Sequence, residues 1–429
     1  MWRRVSIFTI ATLFAITGAW GQNKANSPYS IFGLGDLYST GYIQFPEYGG
    51  ASTALLQKNT INLSNPAAYR AIDSMRFVID FAFNGNFKQI SDENSSTTAK
   101  DLNFSYYAIG FRALPWWHIS LGVTPISNRN YRIGIVSEEF DIRSKTYYLG
   151  NGNLNQVYFG SSFSILPNLS VGVNVQYLFG VLNETKTILF PTEPFMRNTQ
   201  EGYNRRIADF GFTTGLLYTK NLKENKSLNI GFTYTPKKKV SFTENYLFGA
   251  TTGSNLDNIE NNVIIDTTYY YEDLARYFYL PHSFSIGLSY SEYLKRTATL
   301  EFDYALWKES DNANIESSVT EFHNSYRISG GYDFTPKWNS ATSYFKRSTY
   351  VFGAFFENQY MKVNDQDINA FGFSAGVKMP MRRVNGVLNL GLELGQKGMI
   401  KENLIRENYI KLNLKFNFRE VWFFERKFD

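Results

Sequence analysis

The stretch LSVGVNVQYLFG, Leu169 to Gly180, places an apolar side chain at almost every second position. Small or polar residues lie between them, so an extended chain here has one apolar face and one polar or small face. The same alternation returns near the C-terminus in VLNLGLELG (387–395) and YIKLNLKFNF (409–418). A period of two predicts β-strands, and the 17% aromatic content favours strands over helices. We therefore interpret the chain as all-β.

About fourteen such runs can be counted, and their lengths suit tilted membrane strands, for which roughly 9–11 residues cross the hydrocarbon. Short turns are predicted at 115–117, 167–168, 293–296 and 380–383, and longer polar loops between them at 89–100, 127–153, 184–205, 247–281 and 308–319. Alternating short and long connections are typical of outer-membrane barrels. Residues 75–419 are thus predicted to form a transmembrane antiparallel β-barrel of about 14 strands. The runs cover 75–88, 101–113, 118–126, 154–166, 169–183, 206–219, 228–246, 282–291, 297–307, 320–333, 348–361, 368–379, 386–396 and 405–419.

Tryptophans stand at the ends of several predicted strands, where the aromatic girdles of a membrane barrel belong. The alternative is a soluble β-sandwich with aromatic residues closing its ends. The sandwich accounts less well for a secretory signal, girdles and unequal loops together, so the barrel is favoured. The girdle candidates are Trp116, Trp117, Trp307, Trp338 and Trp422.

The ends of the chain differ from the strands between them. Residues 1–21 read as a secretory signal peptide, with Arg3 and Arg4 before an apolar run and small residues at Ala19 and Gly21. Residues 22–74 lack the two-residue period and are predicted to fold irregularly inside the barrel as a hatch that plugs the lumen. Residues 420–429 follow the last strand as a periplasmic tail. An even strand number places both termini in the periplasm.

No group of residues predicts catalysis. The chain has no cysteine, which excludes a lipoprotein anchor and thiolate chemistry, and its three histidines have no metal-ligand spacing. No nucleophile motif or dinucleotide fingerprint occurs, so we expect no enzyme, cofactor or metal site. Acidic loop pieces at 138–139 and 365–367 read as solvated charges rather than calcium ligands. A net charge of +5 with interspersed signs gives no support for nucleic-acid binding.

Two short motifs in the 22–74 segment, Gly49-Gly50-Ala51 and Asn65-Pro66-Ala67, precede the strands. With the opening SPYSIFGLGDL (27–37) and the closing WFFERKFD (422–429), this order resembles the FadL and TodX transporters of fatty acids and other hydrophobic compounds, in their Bacteroidetes form. The resemblance covers nearly all of the mature chain in architecture but only these short motifs in residues. It implies a hatch whose fold is held by Gly49, Gly50, Ala51, Asn65, Pro66 and Ala67.

The resemblance also implies a function. An apolar small molecule or fatty acid would enter the plugged barrel by passive diffusion and leave sideways into outer-membrane lipid. The side opening would lie at the third strand, where Pro125 cannot donate to the ladder. Apolar hatch residues are the candidate ligand contacts, although they could equally pack the hatch against the barrel. They are Tyr29, Ile31, Phe32, Leu34 and Leu37.

A second function stays open. Some FadL-like barrels, those of the PorV type, bind protein cargo or partners in type IX secretion, and long loops rich in Asn, Asp and Tyr would suit protein contacts. A surface hydrolase using His282 is a more distant alternative. Nothing in the loops matches a fatty-acid-binding residue of the family, and the chain ends on Asp429 rather than on an aromatic residue.

Overall fold

The computed structural model describes residues 27–139, 142–193, 195–223, 225–252, 263–310, 320–340, 342–381, 384–401 and 404–421. The predicted signal peptide, residues 1–21, lies outside the described residues. So do Trp422 and nearly all of the predicted tail, 420–429.

The described residues form one closed antiparallel β-barrel of fourteen strands, which confirms the predicted fold class. Each strand pairs with its two neighbours in sequence except where noted below, and β14 pairs with β1 to close the sheet. The strands are β1 (Arg76–Ser91), β2 (Ser96–Leu114), β3 (Trp117–Glu139), β4 (Ile142–Leu166), β5 (Leu169–Leu189), β6 (Thr199–Lys223), β7 (Lys226–Thr235 and Lys238–Thr251), β8 (Ile264–Leu280 and Ser283–Glu292), β9 (Arg296–Ala305), β10 (Thr320–Phe322 and Ser325–Phe334), β11 (Thr349–Val363), β12 (Gln366–Pro380), β13 (Gly386–Lys397) and β14 (Arg406–Val421).

Prolines account for two of the three interrupted strands. Pro236 lies in the break of β7 and Pro281 in the break of β8, and the two breaks face each other across the pairing. Because proline has no backbone N–H to give to a ladder, a strand that contains one is interrupted there.

The outer face of the barrel carries large apolar side chains that are exposed on strands all round it. Phe210 on β6 is 64% exposed, Leu300 on β9 is 63% exposed and Phe373 on β12 is 68% exposed. A soluble sandwich would bury such residues, whereas a membrane barrel presents them to lipid. None of the helices in the described residues is long and apolar enough to cross a membrane.

The two ends of the barrel differ in their connections. At one end, here called the turn end, β2–β3, β4–β5, β6–β7 and β8–β9 are joined by turns of two or three residues. At the other end, the loop end, most connections are longer, such as those after Leu189 and after Thr251. β1 begins and β14 finishes at the turn end, so both ends of the barrel sequence lie on the same side.

The strands near the loop end are longer than predicted. The third strand was expected to cover 118–126, yet β3 reaches Glu139 and β4 starts at Ile142, so most of the predicted 127–153 loop is strand. Much of the predicted 184–205 loop likewise belongs to β5 and β6. Beyond the lipid both faces of a strand can be polar, so the apolar alternation fades while the backbone ladder continues.

One girdle prediction was wrong. Trp307 follows β9 in a short 3-10 helix, Trp307–Glu309, and is buried. Its ring stacks on Tyr360, with 4.4 Å between the ring centroids, within an apolar cluster that includes Leu34 of the N-terminal segment. The chain turns inward where β9 stops, so a tryptophan at a strand end points into the barrel instead of towards lipid.

The N-terminal segment, defined here as residues 27–75, lies within the barrel. It contacts β3 to β6 on one side and β10 to β13 on the other, and most of its residues are buried. Its elements are 3-10 helices at Pro28–Ile31, Pro46–Tyr48 and Pro66–Ala71, a two-residue strand at Asp36–Leu37 (the inner strand), and α1 at Thr40–Gln44.

Candidate functional site

In the half of the barrel nearer the turn end, here called the turn half, the backbone of the N-terminal segment packs directly against glycines that face the lumen. Among the glycines that face the segment, four pairs stand directly opposite each other on neighbouring strands. A methyl group added at these glycines would collide with the segment or come against it; at Gly172 it would lie 2.5 Å from the carbonyl carbon of Pro66, and at Gly376 2.9 Å from Cβ of Glu47. The pairs are Gly172–Gly215, Gly231–Gly287, Gly331–Gly353 and Gly376–Gly391.

Asn65, Pro66 and Ala67 fasten the segment to this glycine surface. The Asn65 side chain caps the 3-10 helix Pro66–Ala71 by accepting from the Ala67 N–H (3.0 Å), and its Nδ2 donates to the Thr53 carbonyl (2.7 Å). The Ala67 carbonyl accepts from hydroxyls on β4 and β5, Ser162 at 3.1 Å and Ser170 at 2.9 Å. All three predicted residues are therefore at the contact between segment and barrel.

Gly49, Gly50 and Ala51 form the other predicted motif. Both glycines have positive φ (65° and 94°), a conformation that side-chain-bearing residues rarely adopt. The Gly49 carbonyl accepts from Nη2 of Arg327 on β10 at 2.9 Å, and Ala51 is fully buried. Tight turning of the backbone against the barrel wall explains the small residues here.

A buried carboxylate on the barrel holds the next part of the segment. Glu301 on β9 accepts at Oε2 from two successive backbone N–H groups, Ser52 at 2.6 Å and Thr53 at 2.5 Å. One side-chain oxygen thus satisfies two buried backbone donors, which would be costly to leave unpaired. Sequence patterns did not indicate Glu301, since one acidic residue on a strand face has no local signature.

The five predicted ligand contacts are divided among three places. Tyr29 is buried with Val363, Ile368 and Leu404, and its hydroxyl donates to the Ile405 carbonyl at 2.5 Å. Leu34 is buried in the Trp307 cluster, against which Phe32 and Leu37 also pack, and Ile31 is half-buried. Leu37 in addition borders a cavity.

This cavity, of about 160 Å³, lies in the half of the barrel nearer the loop end, here called the loop half. It is bordered by the inner strand, α1 and side chains of β1–β4 and β10–β14. Ion pairs surround it: Asp36 meets Lys397 at 2.7 Å, and Lys88 meets Glu407 at 3.4 Å. Burial alone would raise the pKa of Asp36, but the nearby Lys397 and Lys88 ammonium groups hold it below its usual value. The lining is thus more polar than the apolar pocket that was expected.

Lys411 is the cation of this cavity without a carboxylate partner among the described residues. It projects from β14, and its Nζ lies 3.9 Å from the centre of the Tyr42 ring. An ammonium group over an aromatic face gains some cation–π stabilisation. Its charge is the one in this lining that an anionic ligand could meet without breaking an ion pair.

The barrel wall beside the cavity is incomplete. Within the described residues, the ladder between β2 and β3 ends at Tyr107–Val123, although β2 runs on to Ser96 and β3 to Glu139. Pro125 follows at once, borders the cavity, and lies at a register shift between β3 and β4. Beyond it β3 pairs with the inner strand instead of β2, through Ser127 and Asn128.

On the loop-end side of the cavity, charged side chains that point into the lumen form a row along the barrel wall. Arg129 is buried, ion-pairs with Glu184, and donates to the Gly33 carbonyl of the segment. Arg205 bridges Glu184 (2.7 Å) and Glu244 (2.7 Å), and Arg276 completes the row on β8. These residues come from five strands, so only the strand pairing brings them together.

The histidines do not meet. His282 bonds to the Tyr234 hydroxyl and the Lys237 N–H, and His323 bonds to Asn358. Among the described residues no group of three or more His, Cys, Asp or Glu side chains is placed to hold a metal ion.

Solved structures with this fold support the barrel architecture. A Pseudomonas aeruginosa FadL homologue matches with a TM-score of 0.58 at 12% identity, covering 91% of this chain and 99% of that chain. The CymD monoaromatic hydrocarbon channel matches at 0.52 and 13% identity, covering 87% and 96%, and the P. putida toluene transporter TodX at 0.51 and 12%, covering 91% and 100%. No curated protein matches the sequence.

The closed fourteen-stranded sheet with a lipid-facing exterior defines an outer-membrane β-barrel of the FadL-like type, which confirms the resemblance at the level of fold. The model of the BamG family matches residues 1–429. The chain belongs to the BamG family.

Proposed function

We propose that the barrel takes up hydrophobic small molecules by passive diffusion and releases them sideways between β2 and β3. The observation that carries the proposal is the end of the β2–β3 ladder at Tyr107–Val123, beside a cavity that reaches Leu37 and Pro125. An apolar ligand gains about 0.8 kcal/mol for each methylene group that leaves water. The structural neighbours named for toluene and monoaromatic hydrocarbons support this ligand class.

Within this class, a long-chain fatty acid suits the charges of the cavity. The carboxylate would approach Lys411, whose ammonium group faces the Tyr42 ring. The chain would lie towards Leu37 and the opening at Pro125. A neutral hydrocarbon makes no use of Lys411, so the two ligand types respond differently to its removal.

The same proposal assigns roles to the rest of the chain. Residues 22–74 act as a hatch, and its packing against luminal glycines supports a fixed plug in the turn half, which favours a side exit over passage along the lumen. The turn end, with both ends of the barrel sequence, faces the periplasm. Of the five predicted ligand contacts, Leu37 borders the cavity, whereas Tyr29, Ile31, Phe32 and Leu34 would meet ligand only if their present packing opens.

Ligand binding to purified protein in detergent tests the proposal. Asn103→Trp places a large ring in the cavity lining and is expected to abolish binding of both palmitate and toluene. Asn408→Trp, on the outer face of β14, is the matched control and should bind normally. Lys411→Met is expected to weaken palmitate binding about tenfold and leave toluene binding unchanged, the size of one charge-assisted hydrogen bond. Normal binding by Asn103→Trp would contradict the proposed route.

A barrel that binds protein partners, as PorV-type barrels do, is the second candidate. The observation that favours it is apolar surface at the projecting loop end, where Val136 is 57% and Phe195 98% exposed. Single exposed apolar residues are common on protein surfaces and only contiguous patches mark protein contacts, so this function ranks second. A photo-crosslinking residue at Val136 would capture a membrane or surface protein in cells if this function is right. Crosslinks to lipid alone, together with ligand uptake, would favour the transporter.

A further inference from the structure

Five asparagines stand at one level on five neighbouring strands, each directly opposite the next in the pairing register. Asn204 Nδ2 donates to Asn183 Oδ1 at 2.6 Å, and Asn183 Nδ2 donates to Asn151 Oδ1 at 2.8 Å. We call this set the asparagine ladder. Its members are Asn130 (β3), Asn151 (β4), Asn183 (β5), Asn204 (β6) and Asn245 (β7).

The ladder lies on the outer face of the barrel, at the edge of the lipid-facing band. Because side chains alternate along a strand, Asn183 shares its face with Phe179 and Tyr177, and Asn204 shares its face with Phe210. Asn183 is four residues beyond Phe179 towards the loop end, about 13 Å along the strand. Val181 ends this apolar run two residues before Asn183, so with the strand tilted by about 40° the amide stands roughly 5 Å beyond the apolar band along the membrane normal, within the headgroup layer.

A cavity of about 350 Å³ opens over the ladder. Gly202 forms part of its floor, and a methyl group added there would approach nothing closer than the Glu184 carbonyl at 3.9 Å. Leu149 and Leu247 also border the cavity, and so does the half-exposed ring of Tyr270. The cavity therefore combines amide groups, a little apolar surface and an aromatic ring.

In the part of the chain that the structure describes, the residues that line this cavity carry no unpaired charge. Among the described residues that border this cavity, Glu184 is the one with a charged side chain, and its carboxylate is already paired with Arg205 at 2.7 Å. A phosphate group would need arginine or lysine donors that the lining does not offer. Asn183 donates one hydrogen bond and accepts one within the ladder, so its amide keeps one N–H donor and one lone pair for a ligand.

We propose that the asparagine ladder binds the uncharged saccharide headgroup of a membrane glycolipid. Sugar hydroxyls both donate and accept hydrogen bonds, as the free amide groups do, and Tyr270 offers a ring on which the apolar face of a sugar can lie. The level of the ladder places the sugar in the headgroup layer while the acyl chains lie along Phe179 and Phe210. This site is separate from the luminal cavity and independent of the transport proposal.

Lipid retention on the intact protein tests the proposal. The protein is reconstituted in nanodiscs of phosphatidylethanolamine with digalactosyl diacylglycerol, or with phosphatidylglycerol in a second arm, then released and analysed by native mass spectrometry. We expect selective retention of the glycolipid. The double variant Asn183→Leu/Asn204→Leu should lower the glycolipid-to-phosphatidylethanolamine ratio about tenfold, as the loss of two hydrogen bonds would.

Two further variants keep the outcome interpretable. Gly202→Trp fills the floor of the cavity without altering an asparagine and should cause the same loss. Asn408→Leu, a single asparagine on the outer face of β14 across the barrel, should retain the glycolipid normally.

Four results of the retention measurements would overturn the assignment. They are no glycolipid preference in the unmodified protein, stronger retention of phosphatidylglycerol, a loss in Asn408→Leu as large as in the double variant, and unchanged retention in both ladder-site variants. Displacement of the glycolipid by an equal concentration of free galactobiose would also overturn it, because the site would then take a free saccharide.

Discussion

Replacing Gly172 by alanine should destabilise the barrel, although alanine normally suits a strand interior better than glycine by roughly 0.5–1 kcal/mol. The added methyl group would lie 2.5 Å from the Pro66 carbonyl carbon and 2.6 Å from the Ala67 nitrogen, against an ordinary contact of 3.4 Å or more. The segment would have to withdraw by close to 1 Å, yet Ser162 and Ser170 hold the Ala67 carbonyl.

Overpacking of this kind costs about 1–3 kcal/mol. After subtraction of the 0.5–1 kcal/mol alanine gain, about 0–2.5 kcal/mol remains, so the free energy of unfolding should fall by about 1 kcal/mol. The measurement is urea unfolding in detergent micelles, followed by the heat-sensitive mobility shift that folded barrels show on gels.

Gly85→Ala is the control for this experiment. Gly85 lies on β1, and a methyl group there would meet the Asp101 carbonyl at 3.6 Å, an ordinary contact. Its stability should be unchanged or slightly higher. If Gly172→Ala proved as stable as Gly85→Ala, the segment would not be packed against the barrel at backbone distance, and the reasoning about a fixed plug would fail.

Three further changes probe the same interface. Asn65→Ala should lower the free energy of unfolding by about 2 kcal/mol, because the cap and a buried hydrogen bond are both lost. Asn408→Ala, at a half-buried position on the outer face of β14, is the comparison. Glu301→Ala removes the oxygen that accepts from both backbone donors, so trypsin should cleave the N-terminal segment faster. Asp36→Asn removes a pair whose carboxylate pKa is lowered by Lys397, so the stability difference from the unmodified protein should hold from pH 8 to about 5 and shrink below about pH 4. A difference that disappeared near neutral pH would contradict this assignment.

The sequence predicted those features that depend on residues close together in the chain. The alternation around Leu169–Gly180 predicted a strand, and β5 covers it. The same rule predicted that the third strand ends at Ile126, because the apolar alternation stops there. In the structure the strand continues to Glu139. Hydrophobic period reports which side of a strand meets lipid, and it carries no information once both sides are polar.

The candidate sites show the same limit. Pro125 was singled out because proline lacks a ladder donor, and the β2–β3 pairing does end beside it. The polar character of the neighbouring cavity could not be foreseen, since Asp36 and Lys397 are hundreds of residues apart and meet only inside the closed barrel. Trp307 was assigned to a girdle by its position after a strand, but the direction of the turn that follows placed it in the lumen.

The sequence by itself determined the strand number, the closed all-β architecture and the existence of an N-terminal segment unlike the strands, because side-chain period and turn chemistry are local properties of the chain. Only the tertiary structure decided which residues of neighbouring strands lie side by side. Gly172 and Gly215 are forty-three positions apart, yet they form one smooth surface for Pro66 because antiparallel register sets them side by side. The five asparagines become a ladder for the same reason. Register is fixed by the closure of the whole sheet, which no single strand encodes.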